Sequence, residues 1–149
     1  MTYVQELRKR AGDLPLLLVR PTVIITNQEG FILLVKYFDH TWGLPGGLME
    51  LGETAEETMK RELKEELNMD IVKFDFYKVF SGKEFYKKSG SGAETYYTAI
   101  VYRANATDGE IKPDNEEVAE YGFFDPFTIP ESTTPIDQVV INEYRSKKS

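Results

Sequence analysis

The chain has 149 residues and a formal net charge of −7, with 41% hydrophobic and 29% charged residues. That length suits one domain, residues 1–149, with a single sizeable core, and the acidic balance excludes capture of DNA or RNA by a broad basic surface. There is no cysteine, which excludes disulfides and thiolate metal sites and fits a reducing cytoplasm.

Tyr3, Val4, Leu7 and Ala11 recur at helical spacing and Gly12 supplies a stop, so residues 1–12 are expected to form a short amphipathic helix. Its apolar stripe is expected to pack on the domain or to mediate a homodimer. The run Leu14 to Val19 is too short to cross a bilayer, and no small-residue cleavage site follows it, so neither membrane insertion nor a secretory signal is expected. Two β-branched runs, "LLLVRPTVIIT" and "FILLVKYF", flank the turn residues Asn27 to Gly30 and predict a hairpin. Pro21 is expected at a strand edge or a bulge. Further strands are expected in "IVKFDFYKVFSG", "ETYYTAIVYRA" and "EEVAEYGFF", with a flexible linker at "KKSGSG". Near the C-terminus, Ile136, Val139, Val140 and Tyr144 line up on a helix that Thr134 caps and Pro135 begins. The pattern is that of one α+β domain with a mixed sheet.

Between the hairpin and the later strands lies the most informative segment, "WGLPGGLMELGETAEETMKRELKEELNM". Thr54 followed three residues later by Glu57 is a capping box, so a helix begins near Ala55. Asn68, which tolerates the left-handed conformation, marks its end. At about 100° per residue, Glu62, Glu65 and Glu66 share an arc of about 100°. Met59, Leu63 and Leu67 form the adjacent apolar stripe. Like charges at these spacings repel by a few tenths of a kcal/mol per pair, and by more against a partly buried surface. Arg61 is one group that offsets this repulsion, and a hard divalent cation is another. On composition alone the run also reads as a solvated face of Glu and Lys; the preceding Pro45, Gly46 and Gly47, which let backbone approach a ligand closely, favour a site.

Written as a pattern, the segment is Gly47, five residues, Glu53, seven residues, then Arg61-Glu62-Leu63-Lys64-Glu65-Glu66-Leu67-Asn68-Met69. This resembles the box of the Nudix hydrolases, G-x5-E-x7-R-E-U-x-E-E-x-G-U, in which U is a bulky aliphatic residue. Every fixed position matches except Asn68, which stands where the family has glycine. The "W-x-L-P-G-G" lead-in and the order of elements also match, with residues 46–69 forming the box loop and helix. The resemblance implies a Nudix fold, an α/β/α sandwich whose mixed sheet is flanked by the box helix and a C-terminal helix. It further implies hydrolysis of a diphosphate linkage in a nucleoside diphosphate derivative with Mg²⁺ or Mn²⁺.

Carried over residue by residue, the resemblance implies that Glu65 and Glu66 ligate metal and that Glu62 ligates metal or orients water. The Gly46 carbonyl is a further implied ligand. Gly47, Glu53 and Arg61 are expected to support the site, the last two as a pair that fixes the loop against the helix. Many members use another carboxylate from a later loop, for which Glu116 and Glu117 are the candidates ahead of Glu120. His40 is expected to be a loop residue. Tyr37, Phe38 and Trp42 are candidates to stack on a base, and Arg20 and Lys83 are weak candidates to meet phosphate. Tyr86 falls 17 residues after Met69, as in dinucleoside polyphosphate hydrolases, whereas the N-terminal segment resembles ADP-ribose pyrophosphatase-like proteins. Two alternatives stay open: a nucleotide-sensing module that does not cleave, and an RNA 5′-end pyrophosphohydrolase. The complete glutamate set argues against the first, and the acidic balance against extensive RNA contact.

Overall fold

The computed structural model describes residues 1–147; of the expected domain, Lys148 and Ser149 lie outside the described residues. Helix α1 spans Tyr3–Ala11, and strands β1 (Leu16–Thr26) and β2 (Ile32–Tyr37) follow. The short strand β3 is Trp42–Gly43, and helix α2 is Ala55–Leu67. Next come β4 (Asp75–Phe80), a 3-10 turn at Lys83–Phe85, β5 (Tyr86–Lys88), β6 (Glu94–Asn105), β7 (Val118–Phe124) and helix α3 (Pro135–Ser146). No helix among the described residues is long and apolar enough to cross a membrane.

The strands form one mixed sheet in the order β3-β2-β1-β6-β4, with β7 also on β2 and β5 also on β6. The expected hairpin is present, with β1 and β2 antiparallel from the pair Thr26 and Ile32. The β1–β6 pair is parallel along its full length, from Leu16 beside Thr95 to Thr26 beside Asn105. Val23, Ile25, Leu33 and Val35 face one side of the sheet and pack with Met59, Leu63 and Leu67 of α2. Ile24, Ile32 and Leu34 face the other side and pack with Val140, Ile141 and Tyr144 of α3. Alternation along β1 and β2 thus serves two helices, one per face, as a period of two requires. Met59, Leu63 and Leu67 are almost wholly buried, contributing about 1.5–3 kcal/mol each.

Both ends of α2 are fixed locally. Thr54 accepts from the Glu57 amide while the Glu57 side chain accepts from the Thr54 amide. At the other end Asn68 is left-handed, with φ 57° and ψ 33°. The Asn68 amide donates to Lys64 O and that of Met69 to Leu63 O, and Met69 is buried beside Leu63. A glycine would adopt this conformation without the Cβ penalty. Asn68→Ala is expected to lower stability by about 1 kcal/mol, and Asn68→Gly to leave it unchanged or slightly higher. Urea denaturation of both variants tests this, and equal losses would show that backbone conformation does not set the preference.

Two expectations are corrected. Pro21 lies inside β1, a central strand, paired on one side with Ile100. On its other side Pro21 O accepts from the Gly47 amide, and the Val23 amide donates to Pro45 O. A residue's N–H and C=O point the same way from a strand, so the donor that proline lacks falls where a loop crosses rather than where a regular ladder needs it. The segment expected as a flexible linker begins with Lys87 and Lys88 in β5, which pairs with β6 and turns at Ser89 to Ala93. Helix α1 buries no residue fully, but Val4, Leu7 and Ala11 of its apolar stripe are half-buried. Polar contacts also fasten it: Arg8 donates to the carbonyls of Leu14 and Glu94 and to Thr95 Oγ1, and the Tyr3 amide donates to Glu50.

Candidate functional site

The loop that feeds α2 is clamped to it by one arginine. Arg61 donates through Nε to Glu53 Oε2 at 2.6 Å and through Nη2 to Glu53 Oε1 at 3.0 Å. The same guanidinium reaches the Leu48 carbonyl at 3.3 Å and Glu62 Oε1 at 2.9 Å. Glu53 also accepts from the Glu50 amide and the Thr58 hydroxyl. With Arg61 as the main cause, these donors hold the Glu53 carboxyl at a pKa of about 2, and Glu53 in turn raises the pKa of Arg61. Gly47 passes directly over Glu62, and a Cβ there would overlap the Glu62 carboxyl group. A side chain at that point would have to push the Glu62 carboxylate out of its place.

Beyond this clamp, Glu62, Glu66 and Glu117 present carboxylate oxygens within 4.8 Å of one another. Helix α2 supplies the first two, four residues apart. The third comes from the loop before β7, which is tied to the end of α2: the Lys112 amide donates to Leu67 O and the Asp114 amide to Glu66 O. Asp114 Oδ1 then accepts from the amides of Glu116, Glu117 and Val118, and Asn115 takes a positive φ of 61°. Glu66 is 5% exposed. Its carboxyl group faces those of Glu62 and Glu117. Burial, reinforced by these two carboxylates, pushes its pKa up. A buried acid whose neighbours are two more acids is a donor set of hard oxygens in need of positive charge, so these residues fit a divalent cation.

The carboxylates border a cleft of about 570 Å³. Gly46, Gly47, Glu65, Arg61 and Tyr37 also line it. Glu65 is 60% exposed and sits 3.6 Å from Arg61, on the rim rather than within the three-carboxylate cluster. Glu116 does not line the cleft, and Glu120 pairs with Lys36 on the sheet. Trp42 and Tyr86 are not brought to the cleft either. Trp42 packs edge-on against Phe124 at 5.1 Å, and the Tyr86 hydroxyl donates to Glu94 while its ring lies 5.0 Å from that of Tyr96. His40 and Phe38 are exposed loop residues, and Lys83 lies in the 3-10 turn away from the lining.

Several lining residues were not singled out by sequence. Asp137, on α3, lines the cleft together with Thr134, Ile136, Tyr97 and Lys87. One signal for Asp137 was available: it stands three, four and seven residues before Val140, Ile141 and Tyr144, on the buried stripe of its helix. Arg20 donates to Thr22 Oγ1 at 3.0 Å and, at 3.4 Å each, to the Tyr37 hydroxyl and Leu44 O. Burial opposes its charge, but Tyr37, Asp137 and Glu66 outweigh that and raise its pKa. The same burial, chiefly, pushes the Tyr37 hydroxyl up, so Tyr37 stays neutral.

The fold, the clamped loop and the carboxylate cluster agree with what comparison finds. The NUDIX domain matches residues 17–144, and the chain belongs to that family. An ADP-ribose pyrophosphatase of Methanocaldococcus jannaschii is 29% identical over 127 residues, which cover 83% of this chain and 71% of that protein. Among solved structures, the MutT NUDIX hydrolase of Burkholderia pseudomallei is 25% identical with a TM-score of 0.71, covering 85% of this chain and 96% of that one. The MutT protein of Methanosarcina mazei shares the fold at 19% identity, with a TM-score of 0.75 over 89% of this chain and 96% of that one. The α/β/α sandwich expected from the sequence is the fold of these neighbours.

Proposed function

We propose that the chain is a cytoplasmic pyrophosphohydrolase that cleaves the diphosphate linkage of a nucleoside diphosphate-linked substrate with Mg²⁺ or Mn²⁺. The observation that carries this reading is the convergence of Glu62, Glu66 and Glu117 on one point at the edge of a cleft. These three would hold the cation, with Glu65 joining by rotation away from Arg61 and the Gly46 carbonyl as a further donor. A divalent ion there supplies neutralisation of the diphosphate and activation of the attacking water.

The chain's own residues do the rest. Gly46 and Gly47 carry no side chain, which lets the loop lie against the β1 backbone at Pro21 and pass over Glu62, and so sets it beside the carboxylates. Arg61 and Glu53 keep that loop and Glu62 in register, a positioning role rather than a catalytic one. Arg20, in the cleft wall, adds fixed positive charge for an anionic substrate. The relative named for ADP-ribose supports a nucleoside diphosphate linked to a second moiety as the substrate class.

The deciding experiment is a phosphate-release screen of nucleotide sugars, ADP-ribose, dinucleoside polyphosphates and nucleoside triphosphates, with and without chelator. Turnover of at least one class that requires Mg²⁺ or Mn²⁺ is expected. Turnover that survives chelation would remove the metal from the proposal, and tight binding without product would favour a sensing module.

A further inference from the structure

Part of the cleft wall comes from outside the family domain. The NUDIX match begins at residue 17, yet Thr2 and Val4 line the same cleft as Glu62, Glu66 and Glu117. Thr2 is the N-cap of α1, and Val4 stands in its first turn. What holds that turn at the cleft is Glu50, a box-loop carboxylate that also lines it. Glu50 Oε2 accepts from the Tyr3 amide at 3.3 Å, and the Glu50 amide donates to Glu53 Oε1 at 2.8 Å. Glu53 is the partner of Arg61, so α1 is tethered to the clamp that also positions Glu62.

The facing of α1 is fixed as well. Arg8 donates to Glu94 O and Thr95 Oγ1 at 3.0 Å each, at the start of β6. Val4 lies one turn before Arg8 and shares its face; its side chain is half-buried. The Met49 amide donates to Val19 O, which sets the box loop against β1 beside Leu18, the residue that pairs with Tyr97. Val4, Glu50 and Tyr97 all line the cleft. Its second carboxylate oxygen, Glu50 Oε1, has no hydrogen-bond partner among the described residues. This end of the cleft therefore offers an apolar side chain, an aromatic ring and a spare anionic acceptor. A phosphate is repelled by that carboxylate, whereas a sugar ring has hydroxyls to donate and an apolar face to pack.

We propose that Glu50 and Val4 form a sugar subsite: Glu50 Oε1 accepts a hydroxyl of a sugar ring of the substrate, and Val4 packs against that ring. The proposal rests on the pyrophosphohydrolase reading, which supplies the diphosphate that anchors the sugar beside the carboxylates. Glu50 has two tasks, one per oxygen. Oε2 holds α1 in place, and Oε1 reads the ligand. A convergent polar group set in apolar surface is how a pocket fixes the orientation of what it binds.

The chain has no cysteine, so Val4→Cys places a single thiol at the subsite. With Mg²⁺ present, ADP-ribose at ten times its Kd is expected to slow alkylation of that thiol by iodoacetamide about tenfold, in proportion to occupancy. Inorganic pyrophosphate, which has no sugar, should leave the rate unchanged. ADP separates the two sugars: protection equal to that by ADP-ribose assigns the nucleoside's own ribose, and weaker protection assigns the second sugar. Ala11→Cys, on the same helix but away from the cleft lining, should show no protection. Equal protection there, or protection by pyrophosphate, overturns the proposal, because the ligand would then only tighten α1. Glu50→Gln keeps an oxygen for the Tyr3 amide but turns a donor toward the sugar, and is expected to weaken ADP-ribose binding about tenfold or more by calorimetry while leaving pyrophosphate binding unchanged. Unchanged ADP-ribose affinity in this variant, or no binding of ADP-ribose to the wild type, also overturns it. Protection and Glu50-dependent binding without cleavage would uphold the subsite and sink the hydrolysis; cleavage without protection would do the reverse.

Discussion

Glu66→Gln is expected to lower turnover on the order of 10³-fold and, without metal, to make the protein more stable than the wild type. The two effects have one cause. Glu66 is buried against Glu62 and Glu117, so its charged form is penalised by desolvation first and by like charge second. Its folded pKa lies above the unfolded value near 4.5. The stability linked to its proton is therefore present in full below about pH 4.5 and is lost progressively as pH rises toward the folded pKa. Glutamine has no proton to lose. At neutral pH the metal-free variant should gain about 1–2 kcal/mol, or roughly 2–8 °C in Tm for a chain of this size.

A cation reverses the order, because it stabilises the charged cluster that glutamine breaks. Millimolar Mg²⁺ should raise the Tm of the wild type and leave the variant unmoved. Binding should also release protons and tighten as pH rises, since metal and proton compete for the same oxygens. Calorimetry in buffers of different ionisation enthalpy measures that release. Equal turnover by the variant would remove Glu66 from the site, and a metal-free variant no more stable than the wild type would show that repulsion is not the stored cost.

How far the sequence reached depends on whether a position is set by local rules. Helix α2 was legible at both ends because capping is local: Thr54 and Glu57 begin it, and Asn68 closes it in the left-handed conformation. Its apolar face was legible because a 3.6-residue period fixes which side chains share a face. The third carboxylate of the cluster was less so. Periodicity puts Glu65 on the arc with Glu62 and Glu66 and Arg61 one turn before it, but it does not say that the pair with Arg61 leaves Glu65 on the rim. Choosing between Glu116 and Glu117 needs the turn that Asp114 and Asn115 build, and the long-range bond from Asp114 to Glu66 that docks it. Asp137 shows the same limit from the other side. Its place on a buried stripe is local, whereas the Leu44 amide that engages it comes from 93 residues away. Trp42 and Tyr86 were aromatic residues near the right segments, and sheet packing claimed both.

The second large effect is expected from Arg61→Met. This arginine makes two bonds to Glu53, one to Glu62 and one to the Leu48 carbonyl, and its side chain is 28% exposed, with that of Glu53 at 19%. Methionine keeps much of the aliphatic stem but leaves Glu53 and Leu48 O without their donor and Glu62 without its anchor. Breaking a partly buried pair from one side strands the other charge, so a loss of about 2–4 kcal/mol is expected, with partial exposure setting the lower end. Lysine cannot make the two-pronged contact, and Arg61→Lys should recover only part of the loss. The pH dependence separates this from a general loss of packing. Because the pKa of Glu53 is depressed to about 2, the stability it contributes is present above its unfolded value near 4.5 and is lost as pH falls from there toward 2. In Arg61→Met that acid-side loss should shrink, and Glu53→Gln should shrink it in the same way. The double variant should fall short of the summed single losses by 1 kcal/mol or more. Additive losses would show that the two residues act apart. Since Glu62 rests on the same guanidinium, Arg61→Met should also weaken Mg²⁺ binding at temperatures where it is folded. Unchanged Mg²⁺ affinity would confine the arginine to holding the loop.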